Sequence, residues 1–225
     1  MPAKTEALRD PYDGLRPWSA ITHGTGVALG VLAAPFLLLR AYGSQLSGAV
    51  PAMAVYLLTL IGLYTASTLY HSLRTGVEGR IALRKIDHLN IYYLIAGSYT
   101  PFCILALGGT LGIVLLILIW SLAFLGTGVT LIWIHLPRWL SSGIYIVMGW
   151  IAIGAIYPLS RALGGAGTFW LAFGGVLYTI GGVLYALKWP CRGKPRFGCH
   201  EIFHVFILFG SVAQFGAVLY TLNVN

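Results

Sequence analysis

Long apolar stretches divide this chain into seven segments that are separated by short polar connections. The stretch 111–134 contains no charged residue, and a helix in the core of a soluble protein could not bury so long a run. Each segment is close to the roughly 20 residues that an α-helix needs to cross about 30 Å of hydrocarbon. The pattern predicts an all-α, seven-transmembrane-helix bundle with spans near 20–40, 51–72, 87–107, 111–134, 140–160, 168–188 and 201–222.

The composition supports a membrane protein and leaves little chain for anything else. Only 9% of the 225 residues are charged, whereas 58% are hydrophobic. Because the connections are short, we expect residues 1–225 to form a single membrane domain that begins with a polar cytoplasmic segment at 1–18.

The distribution of positive charge predicts the orientation of the bundle. Of the 14 Lys and Arg residues, all but Arg40 and Arg161 fall on the side of the amino terminus when the seven spans are drawn. Positive residues concentrate in cytoplasmic loops, so the amino terminus is predicted inside and the carboxyl terminus outside. The net charge of +8 is divided among short loops, which suits topology and anionic lipid headgroups, and no nucleic-acid partner is expected.

Three histidines occur at the same end of the predicted bundle. His71 closes the second span, while His200 and His204 open the seventh, four residues apart and therefore on one helix face. Ser67 lies one turn before His71, and Asp87 brings a carboxylate to the head of the third span. Three imidazoles and an oxygen are the open ligand set of a catalytic zinc ion, so this end is predicted to be a metal site.

Each of these residues also has a simpler interpretation. An interfacial histidine is often only a polar residue at a helix end, and Asp87 could cap the third helix and meet the positive end of its dipole. The recurrence of four such groups at one face favours a metal site, because ionisable residues in membrane spans are costly and usually functional. His23, on the same side, is predicted either to lie behind the ligands or to be merely interfacial.

The motifs that carry these residues resemble the signature of the hemolysin III family of bacterial membrane proteins, which is related to the progestin and adipoQ receptors and the adiponectin receptors. The matching pieces are Ser67-xxx-His71, Ile86-Asp87-His88, Ile95-Ala96-Gly97-Ser98-Tyr99-Thr100-Pro101-Phe102 and His200-Glu201-Ile202-Phe203-His204. The resemblance implies that His71, His200 and His204 bind Zn²⁺, that Asp87 acts through a bound water, and that Ser67 lies close by. It also implies the bacterial inner (plasma) membrane and an amino terminus inside.

The first motif of the family is incomplete in this chain. That motif has a Glu, followed by an Asn four residues before a His. Here Ser19 stands at the Asn position before His23, and the Glu is missing, with Leu15 and Arg16 nearby. The departure concerns only the first helix.

The resulting hypothesis is a zinc-dependent hydrolase, similar to a ceramidase, that cleaves a lipid amide or ester at the inner leaflet. Asp87 would handle the proton of water and Ser67 would support it by hydrogen bonding. One alternative is a non-enzymatic receptor or regulator of membrane lipids in which zinc is structural. Another is an intramembrane protease, since His200-Glu201-xx-His204 matches the H-E-x-x-H motif of zinc proteases. A cytolytic pore is disfavoured because no span shows the polar stripe that a water-filled channel needs.

Overall fold

The protein, described here from a computed structural model, is an all-α bundle over residues 15–133, 136–189 and 197–224. Its α-helices are α1 (Pro17–Gly43), α2 (Ala49–Ser72), α3 (Val77–Pro101), α4 (Gly109–Ile132), α5 (Arg138–Trp150), α6 (Ile156–Leu187) and α7 (Cys199–Tyr220). A π-helical segment, Phe102–Leu107, extends α3, and 3₁₀ segments occur at Ile151–Ala155 and Thr221–Asn223. Residues 1–14 of the expected cytoplasmic segment lie outside the described residues.

Six helical stretches among the described residues are long and apolar enough to cross a membrane. Five of them each correspond to one predicted span. The sixth, Arg138–Leu187, runs continuously from α5 through the 3₁₀ segment into α6 and contains the two predicted spans 140–160 and 168–188.

The Arg138–Leu187 stretch reverses direction at Gly164. This residue has a φ of 67° and a ψ of −178°, a conformation that only glycine adopts without strain. Trp150 in α5 donates from Nε1 to the Thr179 hydroxyl in α6 at 2.8 Å. The first half of the stretch therefore packs antiparallel against the last part of the second, as in a helical hairpin.

The third helix begins ten residues earlier than the sequence pattern predicts. It starts at Val77, after the extended residue Gly76, and Glu78 lies in the first turn, where a negative charge favours the helix dipole. The segment between α2 and α3 is consequently short, and Arg80, Arg84 and Lys85, which the pattern placed in the connection, lie in α3. Asp87 lies several turns inside α3, so the interpretation of Asp87 as a helix cap is wrong.

The starts of α1, α3, α5 and α7 meet the ends of α2, α4 and α6 at one end of the bundle, here named the histidine end. The side chains and backbone groups that join them are Arg16 with His71 and Glu201, Arg80 with the Tyr70 carbonyl, Lys85 with the Leu131 carbonyl, and Arg138 with the Tyr185 ring. The helices therefore alternate in direction.

Small residues allow the first three helices to approach closely. A Cβ atom on Gly97 in α3 would overlap the side chain of Thr59 in α2. A Cβ atom on Gly26 in α1 would lie 2.6 Å from the Tyr64 ring in α2. Membrane helices commonly use small residues in this way, because close van der Waals packing rather than the hydrophobic effect holds them together.

Tyr99 satisfies backbone groups at the irregular part of α5. Its hydroxyl lies 2.9 Å from the Met148 carbonyl and 2.8 Å from the Gly149 carbonyl, and it accepts a hydrogen bond from the Ala152 amide at 2.8 Å. These groups lack regular α-helical partners because the helix changes to 3₁₀ geometry at Ile151. One phenol thus stabilises a break in a helix that lies in apolar surroundings.

Candidate metal centre

The bundle brings the three predicted histidine ligands together. His71 lies in the last turn of α2, and His200 and His204 lie on successive turns at the start of α7. One possible ligand atom from each histidine lies within 4.8 Å of those of the others. The Nε2 atoms of His71 and His200 are 3.1 Å apart. Two nitrogens on a tetrahedral zinc ion would be about 3.4 Å apart, given Zn–N bonds of about 2.0–2.1 Å, so the three side chains fit one ion.

The position of His204 also fits metal binding. Its Nδ1 atom lies 3.3 Å from the carbonyl oxygen of Ser19, and this oxygen can only accept a hydrogen bond. The proton of His204 is therefore on Nδ1, and the lone pair on Nε2 is available to a metal. His71 and His204 are each only 2% exposed, and the Nδ1 atom of His71 has no hydrogen-bond partner among the described residues.

The donor set consists of imidazole nitrogens alone. The cluster contains no cysteine or acidic residue from the described chain, although Cys199 directly precedes His200. Imidazole binds several transition metals, including zinc, copper, iron and nickel. The three histidines could therefore hold a transition-metal ion.

Asp87 and Ser67 lie together beside this cluster. Asp87 is 8% exposed, Ser67 is 1% exposed, and Ser67 is a direct neighbour of the Asp87 carboxyl. The Ser67 hydroxyl has no hydrogen-bond partner at ordinary geometry within the described part of the chain. The Asp87 carboxylate does not belong to the set of ligand atoms that lie within 4.8 Å of one another. Asp87 therefore lines the same cavity as His200 and His204 but lies outside the three-histidine cluster.

A cavity of about 350 Å³ leads away from the histidines into the bundle. Its polar lining at the histidine end includes Ser67, Asp87, His200 and His204. Further along α3 the lining continues to Phe102, which is 15 residues beyond Asp87 and thus about 22 Å away at about 1.5 Å per residue. The rest of the wall is mostly apolar. The cavity therefore joins a polar, metal-competent end to a long apolar interior.

Glu201 is bonded to other protein groups, unlike the general base that the protease motif predicts. One carboxylate oxygen accepts hydrogen bonds from Arg16 at 2.9 Å and Ser19 at 3.1 Å. The other accepts the Gly198 amide at 2.8 Å, which satisfies a backbone donor at the start of α7. The side chain is 2% exposed. Both oxygens of Glu201 are thus engaged in holding the helix start.

His23 packs directly against one of the three candidate metal ligands. Its ring stacks on that of His204, with centroids 3.6 Å apart and an angle of 13° between planes. It is 3% exposed, lines the cavity, and neither ring nitrogen has a hydrogen-bond partner among the described residues. His23 is therefore not merely interfacial. His88, by contrast, lines the cavity but is not part of the three-histidine cluster.

Sequence reasoning missed the contacts that Arg16 and Ser19 make with α7. The only local signal was the position of Glu201 three residues after Gly198, since a glutamate there often accepts the amide at a helix start. Nothing in the sequence indicated that the same carboxylate would also bind the beginning of α1.

Comparison with known sequences shows the family to which this chain belongs. A family model described as "Haemolysin-III related" matches residues 17–215. The chain is 42% identical over 204 residues to "Hemolysin-3 homolog" of Bacillus subtilis (strain 168), covering 90% of this chain and 92% of that protein. It is 39% identical over 203 residues to "Hemolysin-3" of Bacillus cereus, covering 90% and 89% respectively. The chain is thus an integral membrane protein of the hemolysin III family, which belongs to the progestin and adipoQ receptor family.

Proposed function

We propose that this protein is a seven-span, zinc-dependent hydrolase that cleaves a lipid amide or ester at the inner leaflet of the bacterial plasma membrane. The observation that carries the proposal is that His200 and His204, two members of the three-histidine cluster, line the polar end of one otherwise apolar cavity together with Asp87. A lipid with its polar linkage at the histidines and its chain in the interior would match both parts of that cavity.

The count of seven spans is supported by the reversal at Gly164. A straight helix of 50 residues would be about 75 Å long, more than twice the hydrocarbon thickness, whereas two antiparallel halves would each cross about 30 Å. The described cations other than Arg40 and Arg161 lie at or near the histidine end, and Arg161 lies close to the reversal. By the positive-inside rule the histidine end and the amino terminus would then be cytoplasmic.

Zinc is the metal that we favour for the three-histidine cluster. Three imidazoles with no thiolate resemble the ligand sets of catalytic zinc sites, in which one coordination position remains open. When bound there, zinc would polarise a substrate carbonyl and make a nearby water molecule more acidic.

The protein's own residues would orient the substrate and move the proton. Asp87 would accept a proton from the attacking water and return it to the leaving nitrogen or oxygen. Ser67, whose side chain is a direct neighbour of that carboxyl, would donate a hydrogen bond that keeps the carboxylate in position. The apolar wall would exclude bulk water from the acyl chain and restrict hydrolysis to the polar end.

The protease alternative receives less support from the geometry. A general base must reach the water that it activates, but both oxygens of Glu201 are bonded to Arg16, Ser19 and Gly198. The receptor alternative would need zinc to be enclosed by four protein ligands, whereas the cluster offers three among the described residues.

Metal content tests the first half of the proposal. The purified wild-type protein should contain about one zinc per chain, and His71→Ala, His200→Ala or His204→Ala should each lose most of it. His88→Ala is the matched control, because His88 lines the same cavity outside the cluster. Full zinc occupancy in all three cluster variants would refute the site.

Hydrolysis tests the second half. Wild-type protein in liposomes should release fatty acid from a ceramide or a related acyl amide or ester, and the cluster variants should not. A wild-type protein that binds zinc but cleaves no lipid across such a panel would contradict the hydrolase and favour a receptor with structural zinc.

A further inference from the structure

The first turn of α1 touches both helices that carry the candidate metal ligands. The backbone amide of Arg16 donates to the carbonyl oxygen of His71 at 3.1 Å. The carbonyl of Ser19, one turn later, accepts the hydrogen bond from Nδ1 of His204 at 3.3 Å. One short segment thus contacts a ligand from α2 and a ligand from α7.

The side chains of the same two residues converge on Glu201. The Arg16 guanidinium forms an ion pair with Oε1 at 2.9 Å, and the Ser19 hydroxyl donates to the same oxygen at 3.1 Å. Glu201 lies between the two histidines of α7 and fixes the start of that helix through the Gly198 amide. Arg16, Ser19 and Glu201 are here named the α1 clamp.

We propose that the α1 clamp positions the metal ligands, so that Arg16 and Ser19 set the affinity for a metal ion that neither residue would itself bind. The inference rests on the metal site of the proposed function but does not depend on hydrolysis. Arg16 and Ser19 would be positioning residues. They would act through the hydrogen bond from the Arg16 amide to the His71 carbonyl and the hydrogen bond from His204 Nδ1 to the Ser19 carbonyl.

The physical reason is that a histidine ligand binds a metal well only when its other nitrogen and its ring plane are fixed. Groups that hydrogen-bond to ligating histidines typically change metal affinity by about 10–100-fold when they are lost. The Ser19 carbonyl can hold His204 only while the first turn of α1 stays against α7, and the buried bonds to Glu201 provide that attachment. With the Glu201 side chain only 2% exposed, loss of its cation would leave a buried charge uncompensated.

Zinc affinity measured by competition with a chelator tests the clamp directly. Arg16→Gln should raise the zinc dissociation constant about tenfold, at the lower end of the range for such outer contacts. Arg16→Lys, which keeps the charge, should bind zinc more tightly than Arg16→Gln. Lys85→Gln is the matched control: Lys85 donates to the Leu131 carbonyl at the same end of the bundle, between helices that carry none of the three histidines. Its zinc affinity should equal that of the wild type.

A double-mutant cycle and a cobalt spectrum separate positioning from general stability. Arg16→Gln combined with Glu201→Gln should weaken zinc binding little more than the stronger single change, since both remove one contact. Cobalt(II) bound to Arg16→Gln should show a shifted visible absorption spectrum, because the ligand geometry changes, whereas a loss of general stability alone would leave the spectrum of the bound ion unchanged.

Three results would overturn the inference. These are wild-type zinc affinity in Arg16→Gln, an unchanged cobalt spectrum despite weaker binding, and an equal loss of affinity in Lys85→Gln. Absence of any zinc or cobalt binding by the wild type would refute the metal site itself. Clamp-dependent zinc binding without lipid hydrolysis would support the clamp and refute only the hydrolase.

Discussion

Asp87 and Glu201 are both buried carboxyl groups close to the three histidines, and their surroundings differ. Asp87 lines the cavity beside Ser67, whereas Glu201 uses both oxygens to bind Arg16, Ser19 and the backbone of α7. The short H-E-x-x-H pattern in the sequence could not distinguish the two roles. It shows only that Glu201 is near the ligands, not which way its side chain points.

We expect Asp87→Asn to retain zinc and to lose hydrolysis by about 10²–10⁴-fold, because the amide cannot accept the proton of water. Glu201→Gln should keep most of the activity at saturating zinc, although its affinity for zinc should fall with the α1 clamp. Zinc content and lipid turnover of the two variants provide the measurement. The opposite ranking of activities would assign the proton to Glu201 and favour the protease.

At the scale of single residues, the sequence predicted which histidines meet but not what holds them. Four-residue spacing put His200 and His204 on one face, and the alternation of spans placed His71 beside them. The stacking of His23 on His204 and the hydrogen bond from His204 to Ser19 depend on the position of α1 along the axis of α7. No periodicity within one helix contains that information.

At the scale of elements, α2 and α7 are the helices that a metal ion would link. A ligand that binds only the folded state stabilises it by about 4 kcal/mol at a thousandfold excess over its dissociation constant. Removal of zinc with a chelator should therefore lower the melting temperature of the wild type. It should have no such effect on His71→Ala, which has already lost the link. An equal decrease in both proteins would show that the chelator acts elsewhere.

Close packing of α2 against α3 gives a second prediction at this scale. Gly97→Ala would force Thr59 to move and should destabilise the protein by about 1–3 kcal/mol, the usual cost of overpacking. Gly128→Ala in α4 is the control, since a Cβ there has no atom within 4 Å and alanine favours the helix. Thermal unfolding in the same detergent compares the two. Equal melting temperatures would contradict the tight α2–α3 contact.

The helix boundaries show where sequence patterns failed. Apolar runs located the six membrane-length helical stretches. However, α3 begins ten residues before its apolar part, because Arg80, Arg84 and Lys85 can extend a helix into the interface. A hydropathy pattern detects the solvent around a helix rather than its backbone hydrogen bonds. For the same reason the break at Ile151–Ala155 gave no signal in an uninterrupted apolar run.

At the scale of the whole molecule, the proposed orientation can be tested at two glycines that have open space around them. Gly165 follows the reversal in α6, and Gly76 precedes α3; a Cβ at either position meets no atom within 4 Å. In a background with Cys103, Cys191 and Cys199 replaced by alanine, Gly165→Cys should react with a membrane-impermeant maleimide in intact cells. Gly76→Cys should react only after permeabilisation. The reverse pattern would place the histidine end outside and contradict hydrolysis at the inner leaflet.

The end of the bundle opposite the histidines is closed by very short turns. These turns are residues 44–48, Gly108 and the reversal at Gly164. Proteases cut chains at loop tips that can be drawn out, and none of these turns offers such a length. If that face is the outer one, trypsin added to living cells should leave the protein whole, even though Arg40 and Arg161 are exposed. Proteolysis at the cell surface would therefore fail to detect this protein.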